Sequence, residues 1–206
     1  MSADAPKVFV SYAHESAEHE AQVLEFATFL RGVGVAADLD VWSDHQRQDW
    51  YSWAIREMTA ANFVVVVASA RYRAVGDGSG LAGENRGVQS EAALLREQVY
   101  ADRATWLAKV LPVLLPGHTT DEIPLFLQPH SASNYPVPSF DVEGAGNLLR
   151  VIFGKPGHPA PEVGAEPALP PHAPPVGDRP RVFNQITGVV HGTVVQADTI
   201  NGDLHF

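Results

Sequence analysis

One stretch of this chain leaves few choices of fold. Phe63-Val64-Val65-Val66-Val67-Ala68 is a continuous apolar run, and a strand that is apolar on both faces needs cover on both faces, as in the centre of a parallel sheet. Shorter β-branched and apolar runs occur at residues 7–12 and 110–115, and the segments between the runs carry apolar residues at helical spacing. Strands that alternate with helices predict an α/β fold with a parallel sheet and helices on both sides.

The same patterns give bounds for the individual elements. The predicted strands are residues 7–12, 35–41, 63–68 and 110–115, with a weak edge strand at 133–137. The predicted helices are residues 18–31 (capped by Ser16), 49–59, 88–100 and 142–153, with a short helix within 121–128. The predicted loops are residues 40–48, which are polar, and residues 76–87, which are rich in glycine. Because such sheets bind ligands beyond the carboxyl ends of their strands, these two loops and residues 11–14 are candidate parts of a site.

Composition excludes several kinds of protein and site. The chain has no cysteine, which excludes disulfides, a thiol nucleophile and zinc sites built on thiolates. Its 9 histidines show no tight ligand spacing, so we expect no metal site. The formal net charge of −10 argues against binding to nucleic acid or to an anionic membrane, which need a basic surface. The chain has no apolar run long enough to span a membrane and no secretory signal, so we expect a cytoplasmic protein.

The distribution of proline divides the chain. Nine of the 16 prolines lie within residues 155–180, a segment with too little apolar bulk to pack. Prolines at this density favour an extended, semi-rigid spacer. The sequence therefore predicts a body at residues 1–154, a proline-rich linker at 155–180 and a separate segment at 181–206.

Several motifs follow one another along the body. In chain order they are VFVSYAHES, LDVW, NRGVQSE, VLPVLLPG and IPLFL. Their order and spacing, over roughly residues 6–154, resemble the SEFIR branch of the TIR-like superfamily. This resemblance implies a flavodoxin-like TIR/SEFIR fold with a five-stranded parallel sheet. It also implies one of two activities, since animal members are signalling adaptors that assemble through like-with-like contacts, whereas many bacterial TIR-like proteins consume NAD in defence against phage.

Glu91 occupies the position at which the enzymatic relatives carry their glutamate, near the start of the helix after the third strand. Breaking the bond between nicotinamide and ribose develops positive charge on the ribose, and a carboxylate beside it stabilises that charge. The nicotinamide of NAD is already cationic, so its departure needs no general acid, and we expect no cofactor, with NAD as substrate. The alternative is an ordinary acid in the first turn of a helix, where the helix dipole favours it. Many enzymatic relatives carry an aromatic residue four positions before the glutamate, where this chain has Gly87.

Five further residues are candidate contacts to the nucleotide. Ser11, Tyr12 and His14 follow the first strand, where the family binds phosphates or ribose, although a strand-to-helix turn with a serine cap is an equal alternative. Trp42 and Asp44 follow the second strand, in a loop that in the family often lines the nucleotide pocket and also mediates assembly. Trp42 would stack on a base or on a neighbouring protomer, or would simply cover the core.

The last segment is β-branched and nearly uncharged, unlike a linker. An apolar–x–Gly unit occurs at residues 186–188, 190–192 and 200–202, around a β-prone centre without proline. This composition favours in-register cross-β stacking, with glycines at the bends. The pattern NxxTGxVxG, followed by VVQA and GxLHF, resembles bacterial amyloid-signalling motifs, which are RHIM-like and pair with the same motif on a partner protein. The alternative is a C-terminal hairpin that adds to the sheet of the body.

Three functions remain open on the sequence alone. The first is an effector enzyme, a NAD glycohydrolase, whose tails polymerise on a partner with a matching motif, so that the bodies gather in a homo-oligomer or filament and cleave NAD. The second is a non-enzymatic adaptor that recruits another SEFIR or TIR body. The third is a nucleotide-binding module that senses a NAD-derived messenger without turnover. The acidic composition does not separate the three.

Overall fold

The computed structural model describes residues 5–43, 49–79, 86–170, 185–194, 197, 199 and 201–203. The chain divides into two compact units, Met1–Pro159 and Ala160–Phe206. All the helices and strands of the described residues belong to the first unit.

A five-stranded sheet forms the centre of the first unit. Its strands are β1 (Lys7–Ser11), β2 (Ala36–Asp38), β3 (Phe63–Val67), β4 (Val110–Leu114) and β5 (Tyr135–Pro136). They lie in the order β2-β1-β3-β4-β5, and every neighbouring pair is parallel. The α/β fold class with a five-stranded parallel sheet is therefore confirmed.

Six α-helices connect or follow these strands in the described part of the chain. They are α1 (Ala17–Gly32), α2 (Trp50–Ala60), α3 (Ala70–Gly76), α4 (Arg86–Ala101), α5 (Arg103–Lys109) and α6 (Gly146–Ile152). Short 3₁₀ turns occupy Asp40–Trp42, Thr120–Glu122 and Leu125–Leu127. Ser16 caps α1 as predicted, since its hydroxyl accepts from the backbone N–H of His19 at 3.2 Å. None of the described helices is both long and apolar enough to cross a bilayer.

The central strand explains the two-sided fold. Val65 and Val67 of β3 pack in one hydrophobic core with α1 and α6. Val64 and Val66 of the same strand pack in a second core with α2, α3 and α4. All four valines are buried, so the continuous apolar run is covered on both faces, as its sequence required.

The second strand ends earlier than the predicted range of 35–41. It stops at Asp38, and the chain enters a 3₁₀ turn at Asp40–Trp42. The side chain of Asp38 accepts from the backbone N–H of Leu39 at 3.0 Å, and that of Asp40 accepts from the N–H of Val41 at 2.8 Å. These local side-chain bonds turn the backbone out of the strand ladder, so the prediction of a strand through residue 41 is wrong.

Two short helices were not among the predicted elements, and a third begins late. Helix α3 starts at the Ser69 cap and α5 starts at the Asp102 cap, each side chain accepting from a backbone N–H three residues on. Each of the two helices has only seven residues, too few to show a clear 3.6-residue period. The final helix begins at Gly146 rather than at residue 142, because Asp141 first holds a turn by accepting from the N–H of Gly144 at 2.7 Å.

The second unit contains no helix or strand among its described residues. Residues 160–170 are exposed and without regular structure. In the last segment, Gly188, Gly192 and Gly202 have φ angles of 134°, 142° and 129°, a backbone region that side chains disfavour. These are the glycines of the three apolar–x–Gly units. Ile186 and Val190, the apolar residues of the first two units, are about half exposed, at 47% and 48%.

Candidate functional site

The candidate site is a cavity of about 860 Å³ over the carboxyl end of β1. Its walls come from β1 and the residues after it, the 3₁₀ turn after β2, the first half of α2 and the first turns of α4. Ser11 is the last residue of β1 and contacts Glu91 of α4, and the first turns of α2 and α4 line the same cavity, so the cavity lies at the carboxyl edge of the sheet. This is the edge at which parallel α/β sheets bind ligands.

Glu91 stands at the end of a buried chain of hydroxyl groups. The Ser11 hydroxyl donates to Glu91 Oε2 at 2.6 Å, and Ser11 Oγ lies 2.8 Å from the Tyr72 hydroxyl oxygen. A serine hydroxyl has one proton, and here that proton points at the carboxyl group. Tyr72 must therefore donate to Ser11, which gives a directed chain from Tyr72 through Ser11 to Glu91.

Burial sets the pKa values of the groups in this hydrogen-bonded chain. Ser11 is 1% exposed and Tyr72 is 0% exposed. Burial raises the pKa of Glu91 to about 7, the charge of Asp40 adds to the rise, and the hydrogen bond from Ser11 opposes it. Burial, together with the Glu91 charge, raises the pKa of Tyr72 far above its ordinary value, so its hydroxyl remains a donor. At neutral pH, Glu91 is thus divided between its acid and its carboxylate form.

A second carboxylate in the cavity is held differently. Asp40 accepts from the Tyr12 hydroxyl at 3.0 Å and faces Nε2 of His14 at 3.1 Å. His14 Nδ1 lies 3.5 Å from Glu20 Oε1. The hydrogen bond to Asp40 is the main cause that raises the pKa of His14, with burial opposing. Burial by itself would raise the pKa of Asp40, but the bonds from His14 and Tyr12 hold it below its usual value.

The structure brings together four of the six residues named from the sequence. Glu91, Tyr12 and His14 line the cavity, and Ser11 lies directly behind Glu91. Trp42 is placed elsewhere, since it packs against the core of α1 and α6, with the Arg31 guanidinium 5.2 Å from its ring centroid. Asp44 lies outside the described residues.

Sequence reasoning missed Tyr72 and the aromatic wall. Trp50, Tyr51 and Trp53 at the start of α2 all line the cavity, and none of the three was named as a site residue from the sequence. The three aromatics within four residues, directly after the Asp49 cap, were the available signal. Asp40 lies in the predicted loop of residues 40–48, but no pattern in the sequence singled out its carboxyl group.

The described residues contain no group of three or more histidine, aspartate or glutamate side chains placed to hold a metal ion. The described lining of the cavity offers carboxyl groups, hydroxyl groups, aromatic rings, the His14 imidazole and the Arg86 guanidinium.

Comparisons with known proteins agree on the fold. The family model described as "SEFIR domain" matches residues 6–140. A crystal structure of a prokaryotic SEFIR domain is similar with a TM-score of 0.57 and 24% identity, covering 78% of this chain and 100% of that one. The SEFIR domain of IL-17 receptor B aligns with a TM-score of 0.48 and 19% identity, over 73% of this chain and 98% of that chain. A search of curated proteins found no match.

Proposed function

The chain belongs to the SEFIR domain family, and we propose that its first unit hydrolyses NAD in the cavity around Glu91 once the chains have assembled through their C-terminal segments. The observation that carries the proposal is the setting of Glu91. It is a carboxyl group with a raised pKa, oriented by a buried serine, in a cavity of a size that suits a dinucleotide. Perturbed carboxyl groups in clefts are typical of catalytic sites.

The proposed reaction breaks the bond between C1′ of the ribose and N1 of the nicotinamide. Both bonding electrons leave with nicotinamide, which becomes neutral, and positive charge builds on the ribose. The Glu91 carboxylate stabilises that charge. A water oxygen then bonds to C1′ and loses its proton, giving ADP-ribose, nicotinamide and H⁺. If a hydroxyl group of the substrate's own ribose bonded to C1′ in place of water and lost its proton, the same first step would give a cyclic product.

The other residues have supporting roles in this proposal. Ser11 fixes the rotamer of Glu91 and Tyr72 fixes the hydroxyl of Ser11. Tyr12 and His14, anchored on Asp40, offer a hydroxyl and an imidazole to the ribose or the phosphates. Asp44 remains a predicted contact to the nucleotide or to a neighbouring protomer, and Trp42, whose ring packs beside Arg31, remains a predicted contact to a neighbouring protomer.

We propose that residues 181–206 form the assembly element and residues 155–180 its tether. The positive φ angles of Gly188, Gly192 and Gly202 support bends where the repeated unit requires them. The exposed apolar side chains beside them suit burial against copies of the same segment. A partner protein with a matching amyloid motif would start the stack, and stacking raises the local concentration of the bodies. In a bacterial cytoplasm, NAD loss of this kind would serve defence against phage.

The test is NAD consumption by the full-length protein, with and without fibril seeds of residues 182–206. We expect turnover only with seeds, and its loss in Glu91→Gln. Glu97→Gln is the matched control, since Glu97 is an exposed glutamate on the same helix. Unchanged NAD in the seeded wild type would refute the enzyme, and equal turnover in wild type and Glu91→Gln would move the site elsewhere.

The tail is tested separately with Val194→Asp, which places like charges in every layer of a parallel stack. Val163→Asp in the spacer is the control, because Val163 is 99% exposed. We expect only the first variant to lose seeded fibril growth and the 4.7–4.8 Å reflection of cross-β structure. Growth at the wild-type rate in Val194→Asp would contradict the proposal for the tail.

The alternative is a non-enzymatic adaptor that assembles by homotypic SEFIR/TIR contacts. Tyr100 is 88% exposed and Leu125 is 60% exposed, and exposed apolar side chains of this size suit a contact with another body. An adaptor predicts that Glu91→Gln retains recruitment of a second body, whereas Tyr100→Ser or Leu125→Ser weakens it.

A further inference from the structure

An aromatic wall lines the same cavity as Glu91. The wall consists of Trp50, Tyr51 and Trp53, all on the first turn of α2. Trp53 is buried against Phe9, with ring centroids 5.5 Å apart, and Trp50 meets Trp53 edge to face at 5.6 Å. Trp53 therefore fixes the position of Trp50. Trp50 remains 42% exposed and Tyr51 remains 56% exposed, so both rings have surface to offer to a ligand.

The α4 side of the cavity leaves room for that ligand. Gly87 lies on α4 and lines the cavity, and a Cβ placed on it would meet no atom of the described residues within 4 Å. Gly87 and Glu91 are four residues apart on one helix, so they lie on the same face, about 5–6 Å from each other. A flat ring that rests over Gly87 would have one edge beside the Glu91 carboxyl group.

The charges around the cavity favour a cation. Glu91, Asp40 and Asp49 contribute carboxyl groups to it. Among the described residues of the lining, the basic groups are Arg86, which is exposed at the start of α4, and His14, which Asp40 and Glu20 engage. Tryptophan faces attract cations through the ring quadrupole. Acidic groups and tryptophan rings together therefore distinguish a positively charged aromatic ring from a neutral one.

We propose that the Trp50 wall of α2 is the binding subsite for an N-alkylated pyridinium ring, held between Trp50 and Gly87 with its N-ribosyl bond directed at Glu91. Identifying this ring as the nicotinamide of NAD rests on the proposed function. The subsite itself rests on the aromatic wall, the open space at Gly87 and the acidic lining. It also accounts for a neutral nicotinamide product leaving readily, since the product has lost the charge that the subsite recognises.

The test uses the full-length protein and two ligands of nearly equal shape, the cation N1-methylnicotinamide and neutral nicotinamide. Binding is followed by titration of the indole N–H signals of the four tryptophans in a ¹H–¹⁵N NMR spectrum. We expect saturable shifts of the Trp50 and Trp53 signals with the cation, and a dissociation constant about tenfold weaker for neutral nicotinamide. Trp42 and Trp106, which carry Arg31 and Lys109 over their rings, are the internal controls and should not shift.

Substitutions of the lining residues test where the cation binds. Trp50→Leu should weaken the cation about tenfold, which corresponds to about 1.4 kcal/mol, and Gly87→Leu should exclude it by filling the space over α4. Trp106→Phe is the control tryptophan substitution. Equal affinity for cation and neutral ligand, or an unchanged affinity in Trp50→Leu, would overturn the proposal.

The two proposals fail in different ways. Cation binding at Trp50 without any NAD turnover would leave the subsite standing and refute the hydrolase. Turnover with the same KM for NAD in Trp50→Leu as in the wild type would leave the hydrolase standing and refute the subsite.

Discussion

Glu91 and Asp40 are two carboxyl groups on one cavity, and their surroundings move their acidity in opposite directions. Glu91 has a raised pKa of about 7, while the pKa of Asp40 lies below its ordinary value. Among the described residues, the Glu91 side chain receives one hydrogen bond, from Ser11. Asp40 is engaged by Tyr12, His14 and the backbone N–H of Val41. The number of donors that meet each carboxylate decides the difference, because each donor offsets part of the cost of burial.

The comparison separates a reactive group from an anchoring group. A carboxylate that is fully engaged by donors has little charge left for a ligand, so Asp40 is suited to hold Tyr12 and His14 in place. Within the described part of the chain, the Glu91 carboxyl group accepts from Ser11 alone, and no atom would meet a Cβ at Gly87 on the same helix. A carboxylate in such a position stabilises charge that develops on a ligand.

The largest expected effect tests whether Glu91 and Asp40 have different roles. Glu91→Gln should lower kcat for NAD hydrolysis by about 10³-fold or more, as expected for loss of a main electrostatic group. Asp40→Asn keeps an acceptor for Tyr12 and should lower kcat/KM by about tenfold, mostly through KM. Steady-state kinetics of seeded full-length protein measures both. An Asp40→Asn variant as inactive as Glu91→Gln would reverse the assigned roles.

The second prediction concerns stability. A rise in the pKa of Glu91 from 4.5 to about 7 corresponds to about 3 kcal/mol of destabilisation once the group is ionised. The penalty is absent below pH 4.5, where folded and unfolded states are both protonated, and it is complete above pH 7. Glu91→Gln should therefore stabilise the protein at pH 8, by about 2–4 °C in Tm per kcal/mol, and should have no effect at pH 4.

Asp40→Asn should change stability in the other direction. A lowered pKa contributes stability above the unfolded value and loses it as pH falls, so the substitution removes stability at pH 8. Calorimetry at pH 4 and pH 8 checks both signs. A Glu91→Gln variant that melts below the wild type at pH 8 would show that Glu91 is a structural acid.

Much of the fold was predictable because the apolar run of β3 dictates cover on both faces. The placement of Ser11, Tyr12 and His14 at the candidate site followed from the rule that ligands bind beyond strand ends, whereas Glu91 was named only through the family resemblance. Tyr72 was not predictable, since its hydroxyl reaches Ser11 from a seven-residue helix that lies 61 positions further along the chain.

The aromatic wall was missed for a different reason. Apolar residues in the first turn of a helix normally indicate packing, and Trp53 does pack. Only the structure shows that Trp50 remains exposed beside it. Trp42 is the opposite case, a predicted pocket residue that packs instead. Its place after β2 suggested a contact to the ligand, whereas the turn at Asp40–Trp42 places its ring against the Arg31 guanidinium.

The third prediction uses the pH dependence of kcat to test how Ser11 and Asp40 set the pKa of Glu91. Activity needs ionised Glu91, so the wild-type rate should rise with pH through an apparent pKa of about 7. Ser11→Ala removes the bond that lowers this pKa, and the profile should move about one unit toward alkaline pH. Asp40→Asn removes a negative charge that raises the pKa of Glu91. The substitution also reduces the positive charge at His14, which lowers that pKa, but the Asp40 charge is the larger of the two influences. The profile should therefore move toward acid pH. Shifts in the same direction for both variants would contradict the assigned hydrogen bonds and charges.

The smallest expected effect comes from Tyr72→Phe, which removes one buried hydroxyl and keeps the ring. Ser11 then loses the donor that orients it, so its proton is less firmly directed at Glu91, and the pKa of Glu91 should rise by less than in Ser11→Ala. The measurement is the ¹³C carboxyl shift of Glu91 against pH, which reports the pKa without any need for turnover. Tyr12→Phe is the matched control, because that hydroxyl donates to Asp40 rather than to Ser11. A Glu91 titration identical to the wild type in Tyr72→Phe, with Ser11→Ala shifted, would show that Ser11 orients itself and that Tyr72 only fills the core.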